Sequence, residues 1–183
     1  MIVGYILTGN DNGSCFFDKS DKSLPICKKC GYVTDFDYIS PNIKLKVIKY
    51  DISSTYDNRT IVSNKFKIFC DDNKFTGVLF HELPKNPEFY KMTISNIIKV
   101  DTDKSNLRYY KFCDECGNYE SVTPAIPVYL KEVKVPLLDG FYATDIHFAS
   151  GNEKCPLKIV GVNTYEIMRK QNFKGINFIK MEF

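Results

Sequence analysis

An α+β fold, mostly antiparallel sheet with a few short helices, follows from three observations on the chain. Eight short segments carry β-type apolar patterns, two carry a helix cap followed by an apolar stripe, and those two match one another at a fixed spacing. The 183 residues are 44% hydrophobic, 26% charged and 14% aromatic. This is the balance of a globular chain with a real core and little room for long disorder. The length fits one domain, 1–183, and no low-complexity linker divides it.

In chain order, the candidate strands are Ile2–Leu7, Ile43–Tyr50, Gly77–Leu83, Phe89–Ile94, Leu107–Phe112, Val128–Val133, Phe141–Phe148 and Gly175–Met181. No basic residue precedes the first of these and no small-residue cleavage site follows it, so it reads as a strand and not a signal peptide. The longest apolar runs are four or five residues, too short to span a bilayer. A cytoplasmic protein is expected. Pro124, Pro127 and Pro136 break the region before the last strands.

The first helix should begin at Ser63 or Asn64, which can cap it, and carry Phe66, Phe69 and Cys70 on one face. In the second, Asn163 or Thr164 is the expected cap, and Ile167 and Met168 replace Phe69 and Cys70. Gly77 and Gly175 should follow the helix ends, with a strand starting at each. Segment 61–80 aligns without a gap on segment 159–178 at a constant offset of 98. Ile61, Val62, Phe75, Gly77 and Phe80 thereby meet Ile159, Val160, Phe173, Gly175 and Phe178. Two pseudo-repeats, approximately 20–85 and 106–183, are expected.

Seven cysteines, an odd number without a secretion signal, argue against a disulfide framework. Four fall in matched motifs, Cys27-Lys-Lys-Cys30-Gly31 and Cys113-Asp-Glu-Cys116-Gly117, 86 residues apart. Two intervening residues let a tight turn aim both thiolates at one ion about 2.3 Å away. The following glycine admits positive φ, so backbone N–H groups can turn toward the sulfurs. Two such knuckles supply four soft ligands for a closed, structural, zinc-ribbon-like site, one Zn²⁺ per chain, joining the two repeats. Iron fits the same four thiolates. A thioredoxin-like redox pair is a competing reading, though it needs only one such motif at a helix start. Reduced, metal-free cysteines are another. Cys70 is expected in the core, and Cys15 and Cys155 in loops without a chemical role.

Charge names no partner. Lys+Arg number 25 against 22 Asp+Glu, a formal +3, and only Arg59, Arg108 and Arg169 are arginines. Arg supplies the bidentate fork of phosphate and base recognition, so nucleic acid is disfavoured. Four thiolates and a dication would bring the formal charge to +1.

Enzyme motifs for nucleotide, metalloprotease or serine-hydrolase chemistry are absent. His81 and His147 are the only histidines. Strand alternation puts Asp145 and His147 on one face, where a surface ion pair is expected. The acidic pairs Asp71-Asp72, Asp101/Asp103 and Asp114-Glu115 could face a basic partner. Arg108-Tyr-Tyr-Lys-Phe112 could stack nucleobases, but alternation on a strand should bury at least two of its three rings.

The paired motifs, each with a downstream helix that ends in Phe-x-Gly-x-x-Phe, resemble the bacterial double-CXXCG proteins, which include immunity proteins of polymorphic and contact-dependent toxin systems. The resemblance covers about half of the chain. It implies a cytosolic, non-enzymatic protein with no small-molecule substrate that binds and blocks a cognate toxin. Cys27, Cys30, Cys113 and Cys116 carry over as the family's cysteines. Gly161, where the first copy has Ser63, departs from the capping pattern. A zinc-ribbon-like nucleic-acid binder is the alternative function, and a thiol oxidoreductase a third.

Overall fold

The computed structural model describes residues 1–17, 23–131 and 136–182. Eleven strands and two helices run in the order β1 (Ile2–Asp11), β2 (Ile52–Ser54), β3 (Thr60–Ser63), α1 (Asn64–Asp72), β4 (Val78–Glu82), β5 (Phe89–Ile94), β6 (Ile97–Ile98), β7 (Arg108–Cys113), β8 (Asn118–Thr123), β9 (Phe141–Ser150), β10 (Cys155–Val160), α2 (Val162–Met168) and β11 (Ile176–Glu182). The sheet is mostly antiparallel, with β1–β2 and β6–β9 as parallel pairs. Because β5 runs on into β6, the pairings close a ring: β1–β10–β9–β6/β5–β3–β2 and back to β1. Outside it, β4 adds to β5 and β11 to β1, while the β7–β8 hairpin hangs on β9 through Ser121↔Ser150 and Val122↔Ala149. Among the described residues, no helix is long and apolar enough to cross a membrane.

Both helices pack on one core. Val62, Phe66 and Cys70 meet Val160, Met168 and Phe173 there, with Ile52, Phe141, Leu7 and Met92 from the strands. Phe66, fully buried, touches the rings of Phe69, Phe80, Phe141 and Phe173. A second core joins β1, β9 and β10 to Val122, Val128 and Leu130, and a third gathers Phe16, Phe17, Val33, Ile43, Leu45 and Leu83 under the first cysteine motif.

Ser63 caps α1, its Oγ accepting from the Phe66 N–H at 3.3 Å. For α2 neither Asn163 nor Thr164 is the cap. Gly161 holds that position without a side-chain bond. Thr164 Oγ1 instead accepts from the Gly140 N–H at 2.7 Å, and a Cβ on Gly161 would stand 2.5 Å from the Leu138 carbonyl oxygen. Close approach of that loop selects glycine over a capping side chain. Both helices exit through a left-handed residue, Lys74 (φ 54°) or Asn172 (φ 50°), and then a left-handed glycine, Gly77 (φ 80°) or Gly175 (φ 82°).

Two expected strands are not strands. Ile43 and Leu45 are buried and Lys44 and Lys46 exposed, as an alternating strand requires. No ladder forms, because side chains take the backbone groups: Lys46 N–H donates to Ser14 Oγ, and Asn86 spans the Leu45 N–H and the Ile43 carbonyl. In Val128–Val133 the described part makes one bridge, Val100↔Leu130, and Glu132 and Val133 lie outside the described residues. Conversely β2, β3, β6, β8 and β10 form where no strand was expected.

Candidate metal centre

Each C-x-x-C-G motif is the tip of a hairpin. The first is closed by the Ile26↔Val33 bridge and a Cys27 N–H to Tyr32 carbonyl bond of 2.8 Å. The second joins β7 to β8, with Cys113 opposite Asn118. In both, the glycine is left-handed (Gly31 φ 75°, Gly117 φ 68°) and its N–H returns to the first cysteine's carbonyl, at 2.8 and 2.9 Å. Nothing crowds a Cβ at Gly117, so conformation alone selects glycine there.

The fold brings the two tips together. Cys27, Cys30, Cys113 and Cys116 are the one cluster of metal-ligating side chains among the described residues, with all four sulfurs within 4.8 Å of one another. Cys27 Sγ lies 3.7 Å from Cys113 Sγ, and Cys30 Sγ 3.5 Å from Cys116 Sγ. Four sulfurs placed tetrahedrally at ~2.3 Å from an ion stand about 3.8 Å apart, whereas a disulfide needs ~2.05 Å. None of the four is in a disulfide. The spacing fits a shared ion and not two redox pairs.

Electrostatics favour an ion as well. Backbone N–H groups of Cys30, then Lys29, hold the Cys27 thiol down at about 7, while burial, reinforced by the neighbouring sulfurs, pushes Cys30 up to about 12. Four thiolates cannot share this space without a cation between them. Around the cluster, Lys29 pairs with Asp114 at 2.5 Å across the two tips, and Cys27 Sγ lies 3.8 Å from Glu115 Oε2. Buried Lys154 donates to the Tyr119 carbonyl and sits 4.6 Å from the Tyr32 ring centroid. Cys30 and Cys116 favour its charge against the desolvation that lowers its pKa. It is the buried cation that faces the net negative charge of a four-thiolate site. Nothing in the sequence marked it.

The other expected positions scatter. Burial pushes the Cys70 thiol up inside the core, Cys15 is exposed, and Cys155 is half-buried. The Asp145–His147 ion pair does not form among the described contacts: Asp145 Oδ1 accepts from the Val100 N–H, and His147 Nδ1 pairs with the Tyr32 hydroxyl at 3.0 Å. Burial, then Lys154, Arg59 and Lys158, pulls His147 down to about 4, outweighing Asp145. His81 pairs with Thr93 Oγ1.

The expected burial of two rings in β7 is also overturned. Tyr109, Tyr110 and Phe112 are 41, 59 and 60% exposed. β7 is the sheet edge, and left-handed Lys111 (φ 47°) interrupts the alternation, so that Tyr109 and Phe112 both reach Tyr119.

No family model, curated protein or solved structure matches the chain.

Proposed function

We propose that this chain is a metal-stapled protein-interaction module, an immunity protein that captures and blocks a cognate bacterial toxin in the cytoplasm without turnover. One Zn²⁺ held by Cys27, Cys30, Cys113 and Cys116 would serve as a structural staple. The donor set is closed, leaving no position for water or substrate.

The exposed aromatic hairpin carries this reading. Tyr109, Tyr110, Phe112 and Tyr119 project from β7–β8, whose outer edge is unpaired among the described residues and whose tip carries two of the four clustered cysteines. Aromatic anchors on a rigid edge suit a protein partner through strand addition and ring burial. The resemblance of the paired knuckles to double-CXXCG immunity proteins supplies the partner class. Duplication of an ancestral knuckle–helix–strand unit accounts for the two halves. It is supported by the offset of 98 that relates the starts of α1 and α2, of β4 and β11, and the left-handed pairs Lys74/Asn172 and Gly77/Gly175.

The same rings, flanked by Arg108 and Lys111, favour a second reading, stacking on single-stranded nucleic acid. Co-expression with the products of neighbouring genes, screened for toxicity, separates the two. Protection that is lost in a Tyr110→Ser, Phe112→Ser double variant of unchanged melting temperature supports immunity. Absence of any protection, together with oligonucleotide binding that falls steeply with salt, replaces it by the second reading.

A further inference from the structure

A second set of cations lies apart from the sulfurs. Arg59, immediately before β3, is 4% exposed, and Lys91 on β5 is 3% exposed. They line a cavity of about 150 Å³ between β3–β5 and β9–β10, with Lys158, His147 and Cys155 opposite. A cavity of this size admits a molecule of roughly six non-hydrogen atoms.

Buried charges are normally paired, because desolvation costs several kcal/mol per ion. Here the partners are neutral. The Arg59 guanidinium lies between the rings of Phe17 and Phe36, 5.1 and 5.2 Å from their centroids, and its Nη2 donates to the Asn152 carbonyl at 3.0 Å. Its Nη1 is the only buried side-chain nitrogen or oxygen without a hydrogen-bond partner among the described residues. Lys91 Nζ donates to the carbonyls of Phe36 and Tyr38. No described carboxylate comes within 4.0 Å of either cation. Asp57, two residues before Arg59, accepts instead from the N–H groups of Phe16 and Phe17 and from the Thr55 hydroxyl. Lys158, half-buried at the cavity, has no ion pair among the described residues. Three cationic side chains thus line one small space, and one guanidinium nitrogen of Arg59 is left without a partner.

We propose that this cavity is a binding site for a phosphate-class oxyanion, which the Arg59 guanidinium, Lys91 and Lys158 would hold. A tetrahedral oxyanion satisfies the fork of a guanidinium and neutralises the cationic charge. Free phosphate and the phosphoryl end of a small monoester share this chemistry.

The test is isothermal titration of the purified, metal-loaded chain with inorganic phosphate, and separately with glycerol phosphate, at ionic strength matched with chloride. Saturable one-to-one binding is expected, weakened at least tenfold in Arg59→Gln and severalfold in Lys158→Gln. Because Lys158 is half-exposed, its variant keeps the site testable should Arg59→Gln fail to fold. Binding of both probes shows that the mouth admits an ester, and binding of phosphate alone defines a free-ion site. No binding, or equal binding by wild type and both variants, overturns the proposal. The readout involves no toxin, so it stands or falls separately from the immunity reading.

Discussion

Replacing Cys116 by Ser removes one of four converging ligands, and the structure says where the loss will be felt. The β7–β8 hairpin reaches the body through two register pairs with β9, buried Val122, and the Lys154–Tyr119 bond. Its tip reaches the first knuckle through the sulfurs, the exposed Lys29–Asp114 pair and the Cys27–Glu115 contact. The helices and their aromatic core lie elsewhere. Structural four-ligand zinc sites bind with an apparent 10–16 kcal/mol, so at ~10 µM free ion the site contributes about 3–9 kcal/mol to the unit it staples. Three kcal/mol corresponds to about a hundredfold in the opening equilibrium. In the Cys116→Ser chain, amide exchange across β7–β8 and residues 26–33 should therefore accelerate at least about a hundredfold. The α1 and β5 amides should stay within a few-fold of wild type. Elemental analysis should find the ion lost and the protein prone to aggregate through its loosened aromatic hairpin. Unchanged protection of β7–β8 with one ion retained per chain would refute the shared site, and uniform acceleration everywhere would refute its local character.

Phe66→Ala should cost about 3–5 kcal/mol, because a fully buried ring that meets four others leaves a cavity; denaturant unfolding that shows under 1 kcal/mol contradicts this packing. Gly161→Ala should cost about 1–3 kcal/mol, since its Cβ would stand 2.5 Å from the Leu138 carbonyl oxygen, and a neutral melting temperature contradicts it. His147 titrates at about 4 in the fold and near 6.5 when unfolded. Its folded value is depressed, so the unfolded chain takes the proton first, and stability present above pH ~6.5 is lost as pH falls toward 4. At pH 5 that loss is about 2 kcal/mol. Wild type should thus lose that much more than His147→Gln between pH 7.5 and pH 5, with acid release of the ion common to both. Parallel curves contradict the burial of a neutral imidazole.

Most local devices are legible in the residues around them, because they depend on near neighbours; the α2 cap is not, since the approach of the Leu138 loop places Gly161 there. The C-x-x-C-G spacing specifies a tight turn that aims two sulfurs one way, Ser63 or Asn64 a helix start, and Gly77 and Gly175 the passage from helix end to strand. The apolar pattern at Ile43 and Leu45 likewise forecast burial. Strand identity there did not follow, because a strand needs a partner for its backbone and that partner is chosen at long range. Three features come from long-range packing. It brought tips 86 residues apart to within 3.5–3.7 Å, it left the β7 rings exposed at a sheet edge, and it set Arg59, Lys91 and Lys158 around one cavity. Each depends on how distant strands close into a ring, and burial and charge acquire their meaning only after that closure.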